Sequence, residues 1–206
     1  VADEEALPIR DASLDLAVSA LSLHVVNDLP GALAQLRRAL KPDGLLLAAL
    51  PGGRTLSELR GALLAAEAEV TGGAAPRIAP MVDVRDMGGL LQRAGFALSV
   101  ADADVITVTY ATPLHLMRDL RAMAATSVLA ERPRTPLPRA VLMRAAALYA
   151  ERFALSDGRI PATFEIITAT GWVPHESQQQ PLRPGSATAR LADALGTRER
   201  PAGDGG

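Results

Sequence analysis

The sequence predicts an α/β fold built on part of a doubly wound sheet, and two observations carry that prediction. Leu14 to Ala20 is a near-continuous apolar run, and a second such run extends from Leu45 to Leu50. Runs of this kind are typical of parallel strands that helices cover on both faces. A helical pattern lies between them, so the three segments together predict a βαβ unit.

No glycine-rich nucleotide loop precedes this unit in the sequence. The first residue is Val1 rather than methionine, and no G-x-G-x-x-G pattern occurs before residue 200. In doubly wound folds that pattern follows the first strand. We therefore predict that the sequence is the carboxyl-terminal part of a longer cofactor enzyme.

The helix of the βαβ unit is predicted to begin near Leu29. Its apolar stripe consists of leucines at helical spacing, namely Leu29, Leu33, Leu36 and Leu40. Asp28 precedes the stripe and can accept hydrogen bonds from the first free amides. Gly44, which follows Lys41 and Pro42, is predicted to end the helix.

Two more helices are predicted before the next strand. Thr55 and Glu58 have the spacing of a capping box, which predicts a helix start at that point. A second helix is expected from about Val84 to Ala94, with Asp83 at its start as a cap.

Strand patterns return from Phe96 to Val100 and from Val105 to Tyr110. The acidic stretch between them fits either a bend or a turn, so the sequence leaves open one strand or two. The last predicted strand, Ala162 to Trp172, is rich in Thr, Ile and Val. It contains Glu165, a carboxylate that needs a donor in such a strand, and we predict an arginine as its partner.

Two successive helical patterns, starting at Thr112-Pro113 and near Arg139, interrupt the alternation before that last strand. We interpret them as a two-helix insertion, a helical lid over residues 113–154. The predicted domain spans residues 1–195, and residues 196–206 have the composition of a disordered tail.

Composition excludes several classes of function. A net charge of -2 and an aromatic content of 3% give no basic or stacking surface for nucleic acid. No apolar run approaches the roughly 20 residues of a membrane span. There is no cysteine and no H-E-x-x-H motif, so no metal site is predicted. The cysteine-free, alanine- and arginine-rich composition suits the bacterial cytoplasm, or the mitochondrial matrix if the protein is eukaryotic.

Several motifs in one order carry a resemblance to a known superfamily. Leu7-Pro8, Leu14-Asp15-Leu16 and Leu40 to Leu45 resemble the later motifs of class I S-adenosylmethionine (SAM) dependent methyltransferases. Within that superfamily, four segments are similar to the mitochondrial complex I assembly factor 5 family and its bacterial relatives: Leu21 to Pro30, Asp83 to Asp86, Leu116 to Arg121 and His175 to Gln179. Val25 is a departure, because that family tends to have tryptophan there.

The resemblance implies a Rossmann-like methyltransferase sheet with SAM as cofactor. The family's acidic residue before Leu-Pro matches Asp3, which would accept from the adenine amino group, with Glu4 contributing backbone contacts. The opposing interpretation of Asp3 is a solvated acidic turn. The end of the first strand, Ser19, Ala20 and Leu21, would face the cofactor. Without a glycine-rich loop, we expect this chain alone to bind SAM poorly and to be inactive alone.

His24 is the candidate catalytic residue, because it follows the first strand and has an ordinary pKa near neutral pH. It could act as a general base or orient an acceptor group. The alternative is a histidine that caps the loop or lines the pocket without proton transfer.

Three functions stay open at this point. The resemblance implies a SAM-binding protein that modifies an arginine of a respiratory complex I subunit, by methylation or hydroxylation. The inserted helices also resemble those of malonyl-carrier-protein methyltransferases, so carrier-protein or small-molecule O-methylation is an alternative. A third possibility is a non-catalytic docking fragment. We also expect self-association through an exposed sheet edge.

Overall fold

A computed structural model describes residues 3–73, 75–127, 135–180, 186 and 191–197. The chain divides into two compact units, Val1–His175 and Glu176–Gly206. The described residues of the second include a helical turn, Leu191–Ala194. No helix among the described residues is long and apolar enough to cross a membrane.

The first unit is built around a mixed sheet. Its described strands are β1 (Leu14–Ala20), β2 (Leu40–Pro51), β3 (Ala97–Tyr110) and β4 (Ile160–Trp172). Their spatial order is β1-β2-β4-β3; β1 and β2 are parallel, and β4 lies antiparallel between β2 and β3. The predicted α/β class is therefore confirmed.

The described residues of this unit form five helices beside the sheet. They are α1 (Leu29–Ala39), α2 (Ser57–Thr71), α3 (Val84–Arg93), α4 (Pro113–Ala122) and α5 (Arg139–Phe153). The turn at Leu191–Ala194 is α6. A short 3-10 helix at Leu23–Val25 lies between β1 and α1.

The predicted cap of α1 is confirmed, but its predicted end is wrong. The Asp28 side chain accepts from Gly31 N at 2.9 Å. The helix ends at Ala39, five residues before Gly44, and β2 begins at Leu40. The backbone at Asp43 and Gly44 instead pairs with Val173, through bonds of 3.1 and 2.9 Å. Pairing with Val173, which is distant in sequence, thus makes residues 41–44 part of the sheet.

The region from Ala97 to Tyr110 is one strand, which answers the question that the sequence left open. It pairs with β4 without interruption from Val100 to Tyr110. A register shift lies between Ala97 and Val100, where Leu98 has a φ of 49°. Asp102 and Asp104 are exposed on this strand, so their carboxylates remain in water while their backbone pairs.

One apolar core joins α1 and α3 to one face of the sheet. Its fully buried members come from both helices and from the two central strands: Leu33, Met87, Leu91, Leu46, Leu50 and Ile167. Burial of such side chains stabilises the fold by about 2 kcal/mol each.

A second core joins α2 to the two helices predicted as an insertion. It contains residues of α2, α4 and α5 with the start of β4, including Ala62, Leu116, Val141, Tyr149 and Ile160. The Tyr149 hydroxyl donates to Pro161 O at 2.7 Å, which ties α5 to β4. The helical cluster over this end of the sheet therefore has three helices.

The opposite face of the sheet is apolar and exposed near β1. Leu16 faces Leu45, and Val18 faces Leu47, on adjacent strands. Leu16 is 49% exposed, Val18 66% and Val100, on β3, 59%. Strand β1 also forms one edge of the described sheet. This surface, defined by Leu16, Val18 and Val100, is called the open face below.

Candidate functional site

The candidate site lies where the parallel strands β1 and β2 end together. Ala20 closes β1 and is paired with Ala49 near the end of β2. The segments that follow, residues 21–28 and 52–56, therefore leave the sheet at one edge. Ligands of open α/β sheets bind beyond the carboxyl ends of the strands. The predicted residues Ser19 to His24 lie at this edge.

The chain leaves β1 through a left-handed residue. Leu21 has a φ of 56°, its N–H donates to Ala49 O at 2.7 Å, and its side chain is 53% exposed. A left-handed conformation costs a non-glycine residue about 1 kcal/mol. Just before it, the hydroxyls of Ser19 and Ser22 lie 2.9 Å apart. The turn thus exposes the apolar side chain of Leu21 to solvent, at the edge of the sheet where the parallel strands β1 and β2 end.

His24 lies in the 3-10 helix and is partly buried. Its Nδ1 atom is buried and has no hydrogen-bond partner among the described residues. Burial lowers the pKa of this imidazole below its ordinary value of 6.5. A proton on Nδ1 would be an unsatisfied buried donor, so we assign the proton of the neutral ring to Nε2. Nε2 then acts as a hydrogen-bond donor.

Asp3 forms a tight exposed turn. Its Oδ1 accepts from Glu5 N at 2.9 Å, and its carbonyl accepts from Ala6 N at 3.1 Å. Glu4 is exposed in the same turn. One carboxylate oxygen of Asp3 is therefore engaged locally.

Glu5, which no sequence pattern singled out, ties that turn to the loop after His24. Its Oε1 accepts from the backbone and side-chain nitrogens of Asn27. Its carbonyl accepts from Gln35 Nε2, at 2.8 Å. The Asp3 turn is thereby held against the residue Asn27 before α1 and against the middle of that helix.

Glu165 lies under the loop that follows β2 and is 7% exposed. Arg54 N donates to its Oε2 at 3.0 Å, and Gly52 N donates to its carbonyl at 2.8 Å. The predicted arginine side-chain partner is wrong, because the donor is the backbone amide of Arg54. A Cβ atom on Gly52 would lie 2.9 Å from Glu165 Cδ, so a larger residue there would force the buried Glu165 side chain to shift.

The predicted capping box at Thr55 and Glu58 is also wrong. Thr55 Oγ1 donates to Glu165 O at 3.0 Å and accepts from Glu165 N at 3.1 Å. Both oxygens of Glu58 accept from Thr163, one from its backbone amide and one from its hydroxyl. Both side chains therefore fasten the start of α2 to β4. The contacting residues are 105 to 110 positions apart in the sequence. Local sequence patterns therefore could not predict these contacts.

The structure thus brings the predicted Ser19 to His24 turn to the same sheet edge as the Gly52 to Thr55 loop. Glu165 and Glu58 flank that loop, and their carboxylates accept hydrogen bonds from Arg54 N and from Thr163 within the protein.

Comparison with known proteins shows what this chain is similar to. Residues 1–48 match a family described as a methyltransferase domain. The mitochondrial arginine-hydroxylase NDUFAF5 of Danio rerio is 46% identical over 94% of this chain and 60% of its own length. The human NDUFAF5 protein is equally similar over 56% of its length. The malonyl-[acyl-carrier protein] O-methyltransferase of Halorhodospira halophila is 40% identical over 83% of this chain and 56% of its length.

The chain therefore spans about 60% or less of the length of these curated relatives. Among solved structures, a candidate methyltransferase of Bacillus halodurans has a TM-score of 0.53 at 16% identity, covering 84% of this chain and 76% of that one. The YcgJ protein of Bacillus subtilis also has a TM-score of 0.53, at 13% identity, covering 84% of this chain and 70% of that one. At these identities the structures show a shared fold. The resemblance seen in the sequence is confirmed: over most of its length this chain is similar to the NDUFAF5 proteins and to SAM-dependent methyltransferases.

Proposed function

We propose that this chain carries the acceptor side of a SAM-dependent enzyme that modifies a protein arginine during respiratory complex I assembly. The observation that carries the proposal is the 46% identity over 94% of the chain to proteins named arginine-hydroxylase. The arginine chemistry, methylation or hydroxylation, is left to the experiment below.

His24 is our proposal for the residue that contacts the acceptor. With its proton on Nε2, the neutral ring donates a hydrogen bond and orients an acceptor group. To act as a general base, Nε2 would have to be unprotonated, and the proton of the neutral ring would then be on Nδ1. Nδ1 has no hydrogen-bond partner among the described residues. This favours an orienting role for His24 over proton abstraction.

The described residues fit one side of a SAM molecule. SAM supplies an electrophilic methyl group when bound. Asp3 has a second carboxylate oxygen for an adenine amino group, and Ser19, Ala20 and Leu21 lie at the end of β1. Glu4 lies in the Asp3 turn. These contacts without a glycine-rich loop support only weak binding by this chain, which we therefore expect to be inactive alone.

The second candidate is O-methylation of a malonyl carrier protein, which the 40% identity to such enzymes favours. Both activities would take place in the bacterial cytoplasm, or in the mitochondrial matrix of a eukaryote. The NDUFAF5 relatives are named as mitochondrial.

The test is mass spectrometry on the full-length gene product incubated in the presence of dioxygen and a reductant with SAM and either a complex I subunit or a malonyl carrier protein. We expect a mass increase on an arginine of the subunit, and the added mass distinguishes a methyl group from an oxygen atom. A His24→Asn variant should lose most of this product while keeping its fold. Product on the malonyl carboxylate alone would contradict the proposal and support the second candidate. No product on either acceptor would support the docking fragment.

A further inference from the structure

Strand β3 forms the other edge of the described sheet, opposite β1. Apolar side chains in its second half are exposed: Val105 is 46% exposed, Ile106 52% and Val108 37%. An edge strand also presents backbone N–H and C=O groups that have no partner in the sheet, and these groups can pair with a strand of another molecule. The edge of β3 therefore combines exposed apolar side chains with backbone groups that can pair.

The bonds of the neighbouring strand β4 show which backbone groups of β3 face outward. Along a strand, the backbone groups of successive residues point to opposite sides. Glu165 uses its carbonyl for Gly52 N and its amide for Thr55 Oγ1, both on the β2 side. Val105 is paired with Glu165, so the backbone groups of Val105 and of Thr107 point away from β4. Among the described residues, no segment beyond β4 gives these groups a backbone partner.

Two charged side chains occupy the ends of this outward-facing segment, residues 105–107. Asp102 Oδ1 accepts from Ala103 N at 2.9 Å. The Arg159 NH2 atom donates to Thr109 O at 2.6 Å. Both bonds engage backbone groups of the same outward-facing series. A negative charge therefore lies at one end of the segment and a positive charge at the other.

A two-fold axis at Ile106 pairs this edge with the same edge of a second copy. In that antiparallel arrangement Val105 lies opposite Thr107 of the second copy, and such a pair exchanges both backbone hydrogen bonds. The Ile106 side chains of the two copies lie side by side, as an apolar cross-strand pair. The backbone groups left open by the fold thus become each other's partners.

The same arrangement also matches the charges at the two ends. Ala103 of one copy lies opposite Thr109 of the other, so the Asp102 carboxylate that engages Ala103 meets the Arg159 guanidinium that engages Thr109. Opposite charges in facing positions stabilise a strand pair. Other registers separate these two side chains. The edge is therefore complementary to itself, as a two-fold interface requires, which favours a second copy over a different protein.

We propose that β3 is a dimerisation edge, at which two copies of this chain join their sheets through residues 105–107. The paired segment is short, so the dimer is weak, with a Kd of about 100 µM. This edge contact differs from association through the open face, which covers the surface of the sheet beside β1. It does not depend on the proposed arginine-modifying function.

Amide hydrogen exchange measured by NMR tests the contact at its own position. The protein used is the 206-residue chain with Val18→Lys, which weakens association through the open face. Between about 50 µM and about 1 mM protein, exchange at Val105 and Thr107 should slow about threefold, because more of the chain is dimeric. Exchange at these amides that does not depend on concentration would overturn the proposal, whether they are always open or always covered.

A variant at the axis tests the contact by sedimentation equilibrium. Ile106→Lys, added to the Val18→Lys chain, brings two positive charges together and should weaken dimerisation at least about tenfold. Met143→Lys is the matched control, because Met143 lies on α5 and is 53% exposed, like Ile106. This control should dimerise like the Val18→Lys chain. Ile106→Lys protein that dimerises as tightly as the control would also overturn the proposal.

Charge reversal tests the register. Asp102→Lys and Arg159→Glu each place like charges opposite one another in a dimer of identical chains, so each variant alone should associate less than the parent. Both positions are exposed, which leaves the core unchanged. An equimolar mixture of the two variants restores opposite charges at both ends and should associate more than either variant alone. A mixture that associates no more than its separate components would contradict the proposed pairing.

Discussion

At the scale of single residues, His24 shows how burial selects a role. Its Nδ1 atom has no partner among the described residues, and its position after β1 places it at the ligand edge. The sequence alone predicts that His24 follows a strand. The burial of His24 Nδ1 depends on how the folded 3-10 helix packs. No local sequence pattern predicts that packing.

We predict that NMR titration gives His24 a pKa below 6.5, because burial disfavours the charged ring. The unfolded chain then binds this proton more readily than the folded chain, so stability falls as the pH drops through 6.5. In the His24→Asn variant the free energy of unfolding should decline less between about pH 7 and about pH 5. His115→Gln and His175→Gln variants assign the signals. A His24 pKa above 6.5 would count against a buried, neutral ring.

At the scale of elements, contacts that lie within a few residues were predictable and distant ones were not. Asp28, Asp83 and Thr112 each accept from an amide two or three residues later, so the caps of α1, α3 and α4 follow from local spacing. Thr55 and Glu58 have an equally good local pattern. Their side chains bond β4 instead, because the fold brings that strand beside them.

The loop after β2 supplies an element-scale prediction. Gly52→Ala places a methyl group 2.9 Å from Glu165 Cδ, so we expect a loss of about 2 kcal/mol in the free energy of unfolding. Gly61→Ala is the matched control, since its Cβ meets nothing within 4 Å inside α2. That change should stabilise the protein by about 0.5 to 1 kcal/mol. Urea denaturation measures both, and a Gly52→Ala variant as stable as the parent would contradict the close packing on Glu165.

At the scale of the whole molecule, the two faces of the sheet are covered to different extents. The face under α1 and α3 is buried, whereas the open face carries exposed apolar side chains beside the edge strand β1. The alternation of helix and strand predicted the class of fold. It could not predict that β4 inserts antiparallel between β2 and β3, because strand order depends on pairing between distant segments.

We predict that this chain self-associates through the open face, since exposed apolar sheet surface next to a free edge favours association. Sedimentation velocity should show a mass that rises with protein concentration. Val18→Lys should shift the distribution towards monomer, whereas Leu155→Lys, a similar change at a 42% exposed position after α5, should not. A parent protein that stays monomeric at every concentration would refute this prediction.

The central claim is that these residues form the acceptor side of a SAM-dependent site and lack the loop that holds most of the cofactor. Calorimetric titration of residues 1–206 with SAM tests it most directly. We expect no measurable heat of binding, or an affinity no tighter than about millimolar. Micromolar binding of SAM to this chain would contradict the claim.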